Sequence, residues 1–151
     1  MDIIWGILII VFGLIAWIGQ VLSAMAPTLA AKLQLSEPKE DVDPAFYADA
    51  RGEAKWDMLT GWTLPLAGIL ILFNNPLWIF FGMIGGSIYL YFGGRAIFTR
   101  LELQKNGIRI GKQDLLKMYY IFAALWAFIG LATILKAINA ILNDERLNID
   151  N

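Results

Sequence analysis

No side chain between Asp57 and Arg95 carries a charge, and the tripeptide Asn74-Asn75-Pro76 divides this stretch near its middle. A helix that crosses the hydrocarbon core of a bilayer needs about 17 to 25 predominantly apolar residues, and each half approaches or reaches that length. Hydrocarbon offers no water to a charge or to an open backbone group. The stretch is therefore typical of two membrane-spanning helices joined by a tight turn.

Two further uncharged runs, Ile3 to Ala31 and Met118 to Leu135, complete the hydrophobic pattern. The first has no basic residue before it and is longer than the 7–15 apolar residues of a secretory signal, so we expect it to be retained. We predict an all-α, polytopic membrane protein whose single domain, residues 1–151, is a four-helix transmembrane bundle with up-down-up-down topology. The predicted spans are at about residues 3–25, 57–73, 77–97 and 116–141, with loops at about 27–56 and 98–115.

The basic residues are distributed unevenly about these spans. Lys136 and Arg146 lie on the side of the termini, and the other ten of the twelve lie on the side of the two loops. These ten are Lys32, Lys39, Arg51, Lys55, Arg95, Arg100, Lys105, Arg109, Lys112 and Lys117. Because Lys and Arg stay on the cytoplasmic side, we predict a multi-pass protein of the inner or plasma membrane. Both loops would be cytoplasmic, both termini outside, and any oligomer parallel.

Small residues recur about seven positions apart in every predicted span, which places them on one face of each helix. Small side chains there let helix backbones approach closely, and this is how helices associate in lipid. We predict that eight glycines form these packing faces: Gly6, Gly13, Gly61, Gly68, Gly82, Gly86, Gly93 and Gly130. Pro65 lies inside the second span, where it removes one helical hydrogen bond and predicts a kink.

The two loops carry local signals. Asp43 is expected to cap a short helix that has Pro44 at its first position and Phe46 and Tyr47 directed towards lipid. Residues 101–110 alternate between apolar and polar around Asn-Gly, which is typical of a β-hairpin. The competing interpretation is that the third helix continues to Lys105 and that Asn-Gly terminates it. We favour this second interpretation, because an isolated two-stranded hairpin is only marginally stable.

Five polar side chains near the hydrocarbon are the candidate binding residues. Gln20, Asp57 and Arg95 are expected at the cytoplasmic ends of their spans, and Ser87, Tyr91 and Arg95 form a stripe with a spacing of four. An Asp57–Arg95 ion pair could join spans two and three or gate a cytoplasmic vestibule. The simpler alternative is that both charges reach into the headgroups.

The chain contains no cysteine and no histidine. Disulfides, thiolate or imidazole metal sites, and Ser-His or Cys-His nucleophiles are thereby excluded, so we expect no metal and no cofactor. We predict a non-enzymatic accessory, assembly or scaffolding protein that contacts the lipid bilayer and either a protein partner or a second copy of itself. Nucleic acid is not an expected partner. The alternative is a small parallel homo-oligomeric channel or transporter, and a membrane enzyme is the third possibility.

Overall fold

The computed structural model of this chain describes the backbone of residues 2–149 and the side chains of residues 3–143. Its helices are α1 (Asp2–Met25), α2 (Pro27–Lys32), α3 (Pro44–Thr60), α4 (Thr63–Leu72), α5 (Trp78–Lys105) and α6 (Gln113–Ile149), with a 3₁₀ turn at Lys39–Asp41. The prediction of an all-α protein is confirmed. Within the described residues, the only β-type pairing is one isolated bridge between two connections.

Two helical segments, Ile3–Met25 and Gln113–Asn143, are long and apolar enough to cross a membrane. Only 28% of the most apolar part of each is buried inside the protein, whereas the core helix of a soluble protein is mostly buried. The second predicted span is divided between α3 and α4, and the third lies in the glycine-rich first part of α5.

Helix α1 runs antiparallel to α4. A methyl group added to Gly6 would lie 3.1 Å from the carbonyl oxygen of Gly68, and one added to Gly13 would lie 2.9 Å from Cδ of Pro65. The residue numbers therefore rise along one helix as they fall along the other. This contact lies beside the main core, which consists of Ile9, Ala16, Leu64, Ala67, Ile71, Tyr89 and Ile129.

Helix α5 packs against α4 on one side and runs antiparallel to α6 on the other. A methyl group added to Gly86 would lie 2.8 Å from the carbonyl oxygen of Gly130, and one added to Gly82 would lie 3.4 Å from the Thr133 methyl. Closer to the loops, Gly93 faces Ala123. The four layers α1, α3–α4, α5 and α6 thus alternate in direction.

The distortion predicted at Pro65 is present as a break between α3 and α4, at Gly61 and Trp62. Proline has no N–H to donate to the carbonyl four residues earlier, which here belongs to Gly61. The Tyr89 hydroxyl of α5 lies 3.2 Å from that carbonyl oxygen and 2.7 Å from the carbonyl oxygen of Gly13. The buried Tyr89 hydroxyl therefore contacts one backbone carbonyl on α1 and the carbonyl at the break that Pro65 leaves without its helical partner.

The carbonyls in the last turn of α3 are also satisfied by donors within the protein. The Gly61 N–H donates to Asp57 O at 2.7 Å, and Trp17 Nε1 donates to Met58 O at 2.8 Å. Trp62 Nε1 donates to Leu59 O and the Thr63 hydroxyl to Thr60 O, both at 2.8 Å. The break consequently exposes no row of unpaired backbone acceptors.

The two long connections meet at one end of the bundle. Val42 and Ile110 form the isolated antiparallel bridge, and the Asp43 N–H donates to Arg109 O at 2.8 Å. A second apolar cluster covers this junction and consists of Val42, Phe46, Ile110 and Leu116. We call this assembly of bridge and cluster the loop cap.

The prediction that Phe46 faces lipid is wrong, because only 5% of its surface is exposed and it lies inside the loop cap. Tyr47 packs at the margin of the same cluster. The start of the helix is as predicted: Asp43 Oδ1 accepts from the Ala45 N–H at 2.9 Å, and Pro44 takes the first position. The helix cap could be predicted because it involves only neighbouring residues. The direction of Phe46 could not, because it depends on contacts with Ile110 and Leu116, more than 60 positions away.

Residues 101–110 adopt the helical alternative. Helix α5 continues to Lys105, and Gly107 follows it with a left-handed φ of 73°. The Ile108 N–H donates to Leu103 O and the Gly107 N–H to Gln104 O, both at 3.0 Å. This is the pattern that commonly ends a helix at glycine, so the favoured helix extension is formed and the competing hairpin is not.

Candidate functional site

A cavity of about 340 Å³ lies between α1, α3, α5 and α6, in the half of the bundle that adjoins the loop cap. Its polar lining consists mainly of Gln20, Ser23, Glu37, Glu53, Arg100 and Tyr119. The apolar part of the lining is largely aromatic and includes Ile15, Phe92, Met118, Phe122 and Trp126. We call this space the loop-side cavity.

A buried ion pair between Glu37 and Arg100 borders the loop-side cavity. Glu37 Oε1 lies 3.0 Å from Arg100 Nη2, and the two side chains are only 6% and 16% exposed. The guanidinium also lies over the rings of Phe46 and Tyr119, at 5.3 and 5.6 Å from their centroids. Its Nε is buried and has no hydrogen-bond partner among the described residues.

A second ion-pair group joins α3 to α5. Arg95 pairs with Glu53 at 2.5 Å and with Asp49 at 2.9 Å. The Asp57–Arg95 pair considered from the sequence is not formed. On α3, Glu53 lies one turn before Asp57 and Asp49 lies two turns before it. Arg95 on α5 lies beside these two earlier residues and not beside Asp57.

Asp57 itself is 8% exposed, and its Oδ2 is buried without a hydrogen-bond partner in the described part of the chain. It lines a separate space of about 10 Å³ together with Gln20 and Tyr89. A space of this size is close to the minimum that holds one water molecule. Asp57 therefore lies behind the loop-side cavity and is not part of its lining.

Ser87 and Tyr91 lie on the outer surface of α5. The Ser87 hydroxyl donates to the Met83 carbonyl of its own helix at 2.8 Å, and Tyr91 is 70% exposed. Of the five predicted polar residues, only Gln20 lines the loop-side cavity directly, while Arg95 reaches its border through Glu53. The structure does not bring all five together.

Sequence reasoning missed Glu37, Glu53 and Arg100, the three charged residues that line the cavity. Glu37 lies in the polar connection between α2 and α3, where Glu40 looks equivalent in sequence and yet is exposed. Arg100 was counted only as one of the basic residues that set orientation. No local pattern marks these residues, because each is partly or fully covered only through its contact with a different helix or connection.

Among the described side chains, no group of three His, Cys, Asp or Glu residues could hold a metal ion. The charged residues of the lining are engaged in ion pairs across helices, and the remaining wall is apolar.

Comparison with known proteins identifies no relative: no family model matches the sequence, and no curated protein or solved structure is significantly similar to it.

Proposed function

We propose that this chain is a four-span integral membrane protein of non-enzymatic type that works as an accessory or assembly component. The observation that carries the membrane placement is the outer surface of the bundle. Large apolar side chains are exposed on all four layers, including Ile4 (74%), Phe73 (77%), Phe80 (60%) and Ile121 (67%). Soluble monomers rarely expose contiguous apolar surface of this extent, whereas lipid tails cover it.

The broken second span is compatible with hydrocarbon because its backbone is satisfied internally. Irregular backbone at membrane depth is tolerated only where it is buried in protein or faces a water-filled space. At the Gly61–Trp62 break, the indole groups of Trp17 and Trp62 and the hydroxyl of Tyr89 contact the free carbonyls. This supports a span composed of the end of α3 together with α4.

The orientation rests on the distribution of charge. The loop cap places both connections at one end of the bundle, and these connections carry most of the basic residues. With basic segments retained inside the cell, both loops are cytoplasmic and both termini are outside. The side chain of Arg146, one of the two basic residues assigned to the outside, lies beyond the described residues.

A tightly packed interior favours an accessory role over transport through a single copy. Beyond the loop-side cavity, Ile9 and Leu64 are fully buried and Ile129 is 2% exposed, so side chains fill the bundle axis. The polar stripe of Ser87 and Tyr91 faces outward. A channel or transporter, the alternative, would therefore need a path between copies of the chain, with this stripe at the subunit contact.

The composition of the native complex tests the proposal. The chain is extracted gently from its own membrane through a C-terminal tag, and the mass and stoichiometry of the complex are determined. A second protein at fixed stoichiometry is expected. A homo-oligomer that conducts ions or solutes in liposomes, and stops conducting when Tyr91→Leu is introduced, would contradict the accessory role and support the alternative.

A further inference from the structure

We propose that the loop-side cavity binds an amphiphile with one apolar chain and an uncharged, hydrogen-bonding head, such as a monoacylglycerol or a long-chain alcohol. The proposal goes beyond the accessory role. It rests on the proposed membrane placement only for the source of the ligand, because such molecules partition into bilayers.

The shape and lining of the cavity select the apolar chain. Phe92, Phe122 and Trp126 form an aromatic wall, and Met118 provides a flexible apolar side chain beside it. Small-molecule sites commonly have volumes of about 300 to 1,000 Å³ and walls of this kind. The volume of about 340 Å³ lies at the lower end of that range, which favours one chain over the two chains of a diacyl lipid.

The cavity is also reachable from the side of the bundle. Helix α1 packs mainly on α3 and α4, whereas α6 packs mainly on α5, so α1 and α6 are only loosely apposed. Ile15, which lines the cavity, is 50% exposed on the outer surface. Gly19 also lines it, and a methyl group added there would meet nothing within 4 Å. This opening faces the region that lipid occupies in the proposed placement.

The polar end of the cavity selects the head. Gln20 lines the cavity, and its side-chain amide makes no hydrogen bond to another described residue. Arg100 Nε is covered by protein atoms and is therefore not open to a molecule in the cavity. A hydroxyl or ester head would supply hydrogen-bond partners for the Gln20 amide, which can both donate and accept.

The charges of the lining argue against an ionic head. Glu37 is paired with Arg100 and Glu53 with Arg95, while Asp49 adds a second carboxylate on Arg95. Of these groups, Glu37, Glu53 and Arg100 line the cavity, while Arg95 and Asp49 lie at its border. Because the three carboxylates outnumber the two guanidiniums, an anionic head would be repelled. A cationic head would have to displace a guanidinium from a largely buried pair, which is unfavourable.

Tryptophan fluorescence offers a direct test, because Trp126 lines the cavity. The full chain is placed in nanodiscs of zwitterionic lipid and titrated with a monoacylglycerol that carries a spin label midway along its chain. The probe is expected to quench the emission saturably, and the saturable part should disappear in Trp126→Phe. Quenching that is not saturable, or that persists unchanged in Trp126→Phe, would overturn the site.

Two glycines provide the matched variants. Gly19→Leu fills the cavity, whereas Gly94→Leu adds the same side chain to α5 away from it, and a first methyl at either position meets nothing within 4 Å. We expect Gly19→Leu to weaken the apparent affinity by about tenfold or more, which corresponds to about 1.4 kcal/mol, and Gly94→Leu to leave it unchanged. Equal effects of the two variants would overturn the proposal.

The head and the membrane placement are tested by separate arms. Gln20→Leu should weaken binding of the monoacylglycerol. In the unaltered protein, a spin-labelled fatty acid and a spin-labelled alkylamine should both bind more weakly than the monoacylglycerol. Tighter binding of either charged probe would overturn the assignment of the head. Extraction of native membranes with alkaline carbonate tests the placement. Release of the chain by carbonate would refute the membrane proposal, whereas a failed titration of a chain that resists carbonate would refute only the site.

Discussion

Tyr89 and Tyr91 stand two residues apart on α5, yet they occupy opposite environments. Tyr89 is 3% exposed and its hydroxyl lies within hydrogen-bond distance of carbonyls on two other segments, whereas Tyr91 is 70% exposed. The sequence drew attention to Tyr91 because of its spacing with Ser87 and Arg95. A spacing of four shows that residues share one face of a helix, but it does not show whether that face is directed towards the protein interior. The buried role of Tyr89 could therefore not be predicted from the spacing.

Removing the Tyr89 hydroxyl is predicted to lower the free energy of unfolding. Tyr89→Phe leaves the Gly61 carbonyl, freed by Pro65, without its donor, at a cost of about 1–3 kcal/mol. The measurement is reversible unfolding in mixed micelles, with Tyr91→Phe as the control at an exposed position. Equal stabilities of the two variants would contradict the role assigned to Tyr89.

The neighbouring glycines Gly93 and Gly94 provide a second contrast at the residue scale. A methyl group at Gly93 would overlap the backbone of Ala123 and lie 2.9 Å from the Ala127 Cβ, while one at Gly94 would meet nothing. We expect Gly93→Ala to destabilise the protein by about 1–3 kcal/mol through overpacking. Gly94→Ala should be neutral or stabilise by up to about 1 kcal/mol, as alanine does in an open helix.

The same unfolding assay compares the two glycine variants. A Gly93→Ala protein as stable as Gly94→Ala would show that α5 and α6 are not in close contact at this level.

At the element scale, the seven-residue spacing of glycines pointed to the helix contacts, because small residues permit close approach wherever two helices cross. The eight predicted glycines all lie against neighbouring groups. Gly85 was missed, although a methyl group there would lie only 2.5 Å from the Leu64 backbone nitrogen. It lies outside the seven-residue series because α5 contacts two helices, and each contact uses its own face.

Helix α3 shows why pairing between elements is harder to predict than helix position. Asp49, Glu53 and Asp57 share one face with a spacing of four, so the sequence offered Arg95 three equivalent partners. The axial offset between α3 and α5 decides among them. That offset is set by the contact of Gly85 with Leu64 and by the turn at Asn74–Pro76. Neither feature can be deduced from the positions of the charged residues.

Double-mutant cycles should detect this choice of partner. Arg95→Met combined with Glu53→Gln is expected to show a coupling of about 0.5 kcal/mol or more, a modest value because both side chains remain partly exposed. Arg95→Met combined with Asp57→Asn should show a smaller coupling. Both cycles use unfolding free energies from the same micelles, and a larger coupling to Asp57 would restore the pair first considered from the sequence.

At the scale of the whole molecule, hydrophobic runs predicted the helices and their order, since an apolar run of bilayer length has few alternatives. The loop-side cavity could not be predicted in that way. Its lining comes from four helices and from the segment around Glu37, and it exists because α1 and α6 do not close against each other. Cavities arise from incomplete packing between elements, which leaves no periodic signal in the chain.

The proposed function requires that the chain crosses the membrane four times with both loops in the cytoplasm. Single-cysteine labelling tests it most directly, because the chain has no cysteine of its own. Lys105→Cys and Pro76→Cys place one thiol at an exposed position at either end of the bundle. With an impermeant reagent on intact cells, we predict labelling at position 76, and labelling at position 105 only after permeabilisation. Labelling at both positions from outside, or at position 105 alone, would contradict the account.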